Sequence, residues 1–107
     1  MESTAGIAKL KPGSKKDFAE WREAINSRKA EVLESLRQER VDVECWFEVE
    51  INGEPYLLWF IRVESLEKAR ETLENSTLEI DLFHKEKMKR MIEPRIEAKL
   101  VAELYVE

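Results

Sequence analysis

The sequence predicts an α+β fold in the order strand, helix, strand, strand, helix, strand, and three observations predict it. An Asn52-Gly53 pair separates two stretches of strand-like residues, the strongest short-range signal for a hairpin. Val43, Cys45, Phe47, Val49 and Ile51 alternate with Asp42, Glu44, Trp46, Glu48 and Glu50, which is period-two patterning. Phe18, Trp21, Ile25, Val32 and Leu36 recur at helical spacing. Each is read directly from the chain.

Residues Thr4 to Lys11 read as a short first strand that Pro12-Gly13 ends. Ser14 then stands at a helix N-cap with Asp17 in the capping-box position. One long helix is expected from there to about Gln38. Trp21, on its apolar stripe, is expected in the core. The second strand runs from about Val41 to Ile51 and the third follows the turn. A two-residue primed turn sets the register. Ile51 then pairs with Glu54, Phe47 with Leu58, Cys45 with Phe60 and Trp46 with Trp59. Pro55 falls opposite Glu50 near the hairpin tip, where a missing donor is tolerated.

Ser65 caps a second helix carrying Leu66, Ala69 and Leu73, and Asn75-Ser76-Thr77 interrupts it. A further helix is expected from about Ile80 to Ile92, with Pro94 after its end. Ile80, His84, Met88 and Met91 share its apolar stripe. The last strand is expected from Ile96 to Val106, where Ile96, Ala98, Leu100, Ala102, Leu104 and Val106 alternate with their neighbours. The whole is a ferredoxin-like βαββαβ plan with an antiparallel sheet. The stretch Tyr56 to Ile61 is apolar on both faces. Helices cover one face of such a sheet, so a partner surface is expected on the other.

Composition bounds the function. The 107 residues correspond to one domain, 1–107, with 43% hydrophobic and 38% charged content. With 23 acidic against 18 basic residues the formal net charge is −5. No basic surplus exists to displace counterions, so neither nucleic acid nor a membrane is expected as a partner. Lys15-Lys16 and Lys85 to Arg90 read as solvated helix faces. The single cysteine, Cys45, is read as a small buried hydrophobe, and it makes an internal disulfide impossible. A reducing, cytoplasmic setting is expected. No apolar run is long enough to span a bilayer, and no signal peptide is visible at Met1-Glu2-Ser3-Thr4.

Catalytic motifs are sparse. Three glycines make no phosphate-binding loop, and one His and one Cys on different elements make no zinc site, so no metal or cofactor is expected. The hairpin register gathers Glu44, Trp46, Glu48, Leu57, Trp59 and Ile61 on one sheet face. Val43, Cys45, Phe47, Val49, Tyr56, Leu58 and Phe60 lie on the other. The second set is the more uniformly apolar and is assigned to the helices, which leaves the tryptophan face open. An aromatic floor with a few carboxylates suits an amphipathic small molecule, and it also suits a dimer interface. Trp46, Trp59, Glu44 and Glu48 are therefore the candidate ligand-binding residues. His84 is the candidate acid/base, the one side chain that titrates near neutral pH unperturbed.

Three stretches carry a family resemblance: Lys11-Pro12-Gly13 before the long helix, Glu44-Cys45-Trp46-Phe47 on the second strand, and Ile80 to Met88 on the last helix. With them the chain resembles small uncharacterised bacterial and archaeal proteins of the dimeric α/β-barrel superfamily. The resemblance implies a homodimer in which open sheet faces meet to form a barrel. That superfamily includes antibiotic-biosynthesis monooxygenases, haem-degrading enzymes and rhamnose mutarotases. Haem-degrading members use an Asn on the first strand, a Trp and a helical His, and the resemblance offers Trp59 and His84 for the last two. The first strand here has no Asn. The mutarotases place a His and a Tyr on the first helix, and this first helix has neither. Two functions are expected to compete. One is binding or conversion of a small amphipathic metabolite. The other is a non-catalytic dimerisation module with no ligand.

Overall fold

The computed structural model describes residues 1–106 and contains a four-stranded antiparallel sheet with four helices. The elements are β1 (Glu2–Lys9), α1 (Lys15–Ser27), α2 (Lys29–Gln38), β2 (Val41–Ile51), β3 (Glu54–Val63), α3 (Leu66–Asn75), α4 (Glu79–Met91) and β4 (Ile96–Glu97). The sheet order is β2-β3-β1-β4, the ferredoxin-like arrangement expected from the element order. The β2–β3 hairpin has the predicted register, with Ile51 opposite Glu54, Trp46 opposite Trp59 and Glu50 opposite Pro55. Asn52 and Gly53 both have positive φ, as a primed turn requires. A bulge between Val41 and Val43 re-aims the start of β2.

The helices lie on the face that carries Trp46, Leu57 and Trp59, which reverses the predicted assignment. Leu57 is 1% exposed and joins Leu10, Phe18, Trp21 and Met91 in the core, with Trp46 packed against them. The other face leaves Phe47 52% and Phe60 36% exposed, with Val43 and Ile51 also exposed. The physical reason is room. On the helix face β1 contributes Gly6 and Ala8, opposite Trp59 and Leu57. A Cβ on Gly6 would run into the Trp59 indole, so only glycine lets that ring lie flat across β1. Uniform apolarity thus marks a face that no helix among the described residues covers.

Several other expectations change. The long helix is two, divided at Arg28, whose guanidinium folds back onto Glu31. Ser14 does not cap α1 with its side chain; its hydroxyl donates to the Lys11 carbonyl. Asp17 serves Lys87 on α4 instead of a capping box, at 2.8 Å, and Glu20 takes the same ammonium at 2.9 Å. Lys87 is therefore buried in an ion-paired pocket and not on a solvated face. The last strand pairs with β1 only at Ile96 and Glu97. Beyond Ala98, whose amide still bonds Ala5, Leu100, Val101, Leu104 and Val106 are exposed without a sheet partner. Cys45 lies on the open face and is half-buried.

Candidate functional site

The second strand places Trp46 at the centre of the helix-covered face, and α1 and α4 close over it. Trp21 on α1 meets Trp46 edge to face at 5.2 Å between ring centroids, and Trp59 tilts against Trp46 from the other side at 5.6 Å. The His84 imidazole packs edge-on against Trp46 at 5.7 Å. The stripe that the sequence shows on α4 thus delivers His84 to an aromatic wall. Trp21 is 2% exposed, as expected of a core residue.

Cavities open on both sides of this wall. The larger, about 630 Å³, runs between the α1–α2 helices and β2 and is lined by Trp46, Glu44, Glu48, Glu39, Asp81 and His84 among others. The smaller, about 120 Å³, lies toward β1 and α3 and adds Trp59, Arg70 and Arg95. Glu39, Glu44, Trp46 and His84 line both. The fold therefore brings Trp46, Glu44 and His84 together. Trp59 borders the smaller cavity, and Glu48 stands at the exposed rim of the larger one.

The hydrogen bonds define what each group can do. Trp21 Nε1–H donates to His84 Nδ1 at 3.0 Å. The proton of the neutral ring then sits on Nε2, which has no hydrogen-bond partner among the described residues. Burial pushes the imidazole down to about 4, with Arg95 adding to the effect and Asp81 opposing it. At neutral pH His84 is an uncharged donor, and its basic nitrogen is occupied by the indole. Trp46 Nε1–H donates to Glu44 Oε1 at 2.6 Å, while burial raises the Glu44 carboxyl above the usual range.

Sequence reasoning missed a second set of groups. Glu39, at the C-terminal end of α2, is pushed up to about 7, chiefly by burial, with Glu44 and Asp81 adding negative charge nearby. Its Oε2 lies 2.9 Å from Ser35 Oγ, and the same hydroxyl makes a short contact with Asp81 Oδ1. Ser76 Oγ holds the other Asp81 oxygen at 2.5 Å. Nothing in the periodicity marks Glu39, because a glutamate at a helix end reads as solvated. Ser35 is the one faint signal, a polar residue on an otherwise apolar helix stripe.

The whole sequence, residues 1–107, matches a family of unknown function known as DUF6176. The chain belongs to that family. No curated protein matches it. Among solved structures it is similar to a protein from Nitrosomonas europaea provisionally named an antibiotic biosynthesis monooxygenase. That match has a TM-score of 0.58 and 17% identity, over 98% of this chain and 100% of the other. A dimeric ferredoxin-like protein from an uncultured marine organism matches with a TM-score of 0.61 and 14% identity, over 99% and 100% of the two chains. An uncharacterised NIPSNAP-like domain protein from Burkholderia xenovorans gives 0.57 and 17%, over 98% and 87%. At these identities the likeness establishes the fold of this DUF6176 chain, and function must be argued from the site.

Proposed function

We propose that this DUF6176 protein is a homodimer that binds a small amphipathic metabolite in the cleft beside Trp46. The observation that carries the reading is the convergence of Glu44, Glu39 and His84 on one aromatic-walled cleft of about 630 Å³. The volume suits a metabolite of modest size. The indole faces offer apolar area, and His84 and the carboxyls offer directed hydrogen bonds. His84 acts here as a neutral donor that orients the ligand, since acting as a base would cost it the Trp21 bond.

The dimer rests on the opposite face. Phe47, Phe60, Val43 and Ile51 form an exposed apolar surface larger than scattered single residues would explain. Arg62, on the same face, has a shielded Nε with no hydrogen-bond partner among the described residues, and its guanidinium lies 4.8 Å from the Tyr105 ring centroid. A second copy would cover the apolar residues and offer an acceptor to Arg62. The dimeric solved neighbour supports this choice of partner. A cytoplasmic setting belongs to the same reading, and the lone Cys45 on this face supports it.

Because the two surfaces lie on opposite faces, they can be tested apart. Light scattering of the wild-type chain should give about twice 12.6 kDa, and Phe60→Asp, at a residue that lines neither cavity, should give a monomer that still folds. A thermal-shift screen of metabolites should then find a binder that raises Tm, by about 2.7 kcal/mol of stabilisation at a hundred times its Kd. Trp46→Ala should abolish that shift and leave the dimer intact. If Trp46→Ala dissociates the dimer and no compound raises Tm, the protein is an assembly module without a ligand.

A further inference from the structure

Resting on the reading of the cleft as a ligand site, we propose that Glu39 is its proton donor, positioned by Ser35 and Asp81, and that the ligand carries an oxyanion of the enolate or phenolate type. One hydroxyl proton is shared between two carboxyls. Ser35 has one hydroxyl proton and lies in contact with two carboxyls, Asp81 Oδ1 and Glu39 Oε2. It can donate to only one of them. Asp81 is buried and already accepts from Ser76 on its other oxygen, which makes it the acceptor of the pair. The remaining Ser35–Glu39 contact is a hydrogen bond only if Glu39 brings a proton of its own. Glu39 O–H then donates to Ser35 Oγ, Ser35 O–H donates to Asp81, and the chain closes on the Ser76 hydroxyl.

Burial and the acidic neighbours of Glu39 favour its protonated form, and only a hydrogen bond donated by Ser35 would oppose them. Glu44 on β2 and Asp81 on α4 are acidic. His84 on α4 carries no charge at neutral pH. Arg70 on α3 is held 2.7 Å from Glu97. Arg95 reaches the smaller cavity over the Trp59 ring, 5.9 Å from its centroid, and has no carboxylate at ion-pair distance among the described residues. Glu39 and His84 line both cavities and Arg95 the smaller one, so a ligand group that reaches the smaller cavity meets a proton on Glu39, a donor on His84 and an uncompensated guanidinium on Arg95. That set favours a negatively charged oxygen on a flat apolar ligand.

The step balances within the site. The Glu39 O–H bond breaks as the proton bonds to the ligand oxyanion, or to a carbon conjugated with it. Glu39 is left as a carboxylate, and no oxidant or reductant is needed. The negative charge moves from ligand to protein, so the neutral product is no longer held by Arg95.

Infrared spectroscopy of the full chain without ligand tests the proton count, because a protonated carboxyl has its own C=O stretch. Wild type should show such a band at about pH 6 that titrates away by about pH 8, and Glu39→Gln should remove it. Ser35→Ala should lower the midpoint by about one unit, a tenfold loss of proton affinity, and Ser35→Thr should restore it. Asp81→Asn should lower the midpoint as well, which keeps the test open if Ser35→Thr fails to fold. The proposal is overturned if no band titrates in that range, if the band survives Glu39→Gln, or if neither Ser35→Ala nor Asp81→Asn moves it. These outcomes read the empty cleft, so they stand or fall apart from the ligand screen. A ligand that raises Tm equally in wild type and Glu39→Gln, at every pH, would leave the cleft a binding site and overturn its proton donor.

Discussion

Gly6 is the residue on which the aromatic wall depends. It sits opposite Trp59 in the β1–β3 register, and its missing side chain is the space that indole occupies. Gly6→Ala should push Trp59 off its rotamer and cost about 1–3 kcal/mol, the usual penalty of overpacking. Denaturant unfolding measures the cost, and a change in tryptophan fluorescence would show that the ring had moved. The tautomer of His84 is open to a direct test. Its Nδ1 accepts from Trp21, so nitrogen-resolved NMR near neutral pH should find the ring proton on Nε2. The same signal should titrate near 4, where burial has pushed it.

The helices carry strain and charge that the wall does not. Arg40, the residue after the Glu39 cap of α2, holds φ at 57°, the left-handed region that glycine favours. Its exposed pairing with Glu64 at 3.6 Å contributes little. Arg40→Gly should therefore raise stability by about 0.5–1 kcal/mol without disturbing Glu39. The α1–α4 contact behaves in the opposite way. The Lys87 hydrogen bond holds the Asp17 carboxyl below its usual range, and Asp17, then Glu20, raise the Lys87 ammonium. The carboxylate's share of this stability is present above the ordinary carboxylate pKa and is lost as pH falls through the lowered value. The lysine's share is lost only in strong alkali. Lys87→Met should thus be destabilising at neutral pH, with the gap to wild type closing in acid, as urea unfolding at the two pH values would show.

For the whole molecule, His84 and Glu39 make opposing contributions to the pH dependence of folding. The unfolded chain holds more protons than the folded His84 between about 4 and 6.5, so that group stabilises the fold as pH rises through this window. Two and a half units correspond to roughly 3 kcal/mol. The folded Glu39 holds its proton longer than the unfolded chain does. Its contribution is present below 4.5 and is lost as pH rises to about 7. The two slopes offset one another in wild type. In Glu39→Gln the histidine slope stands alone, and unfolding free energy should climb more steeply from about pH 4.5 to 6.5 than in wild type. Equal slopes in the two proteins would mean that Glu39 folds with an ordinary carboxyl.

The order of elements, the hairpin register and the residues that could share a face are legible in the sequence. Those are local properties: Asn52-Gly53 sets the turn, the turn sets the pairing, and the two-residue period places Trp46, Trp59 and Glu44 together. His84 was legible for the same reason, since helical spacing puts it on the buried stripe of α4. Which sheet face the helices cover depends on long-range packing. That choice turns on Gly6 making room for Trp59, a contact between strands distant in sequence, whereas uniform apolarity pointed to the opposite face. Long-range packing likewise decided that Lys87 is buried against Asp17 and that Ser35 lies between Glu39 and Asp81, 46 residues apart from the latter. A charged residue near a helix end has no period to betray it. Its chemistry exists only when the chain has brought its neighbours within hydrogen-bond reach and removed the water between them.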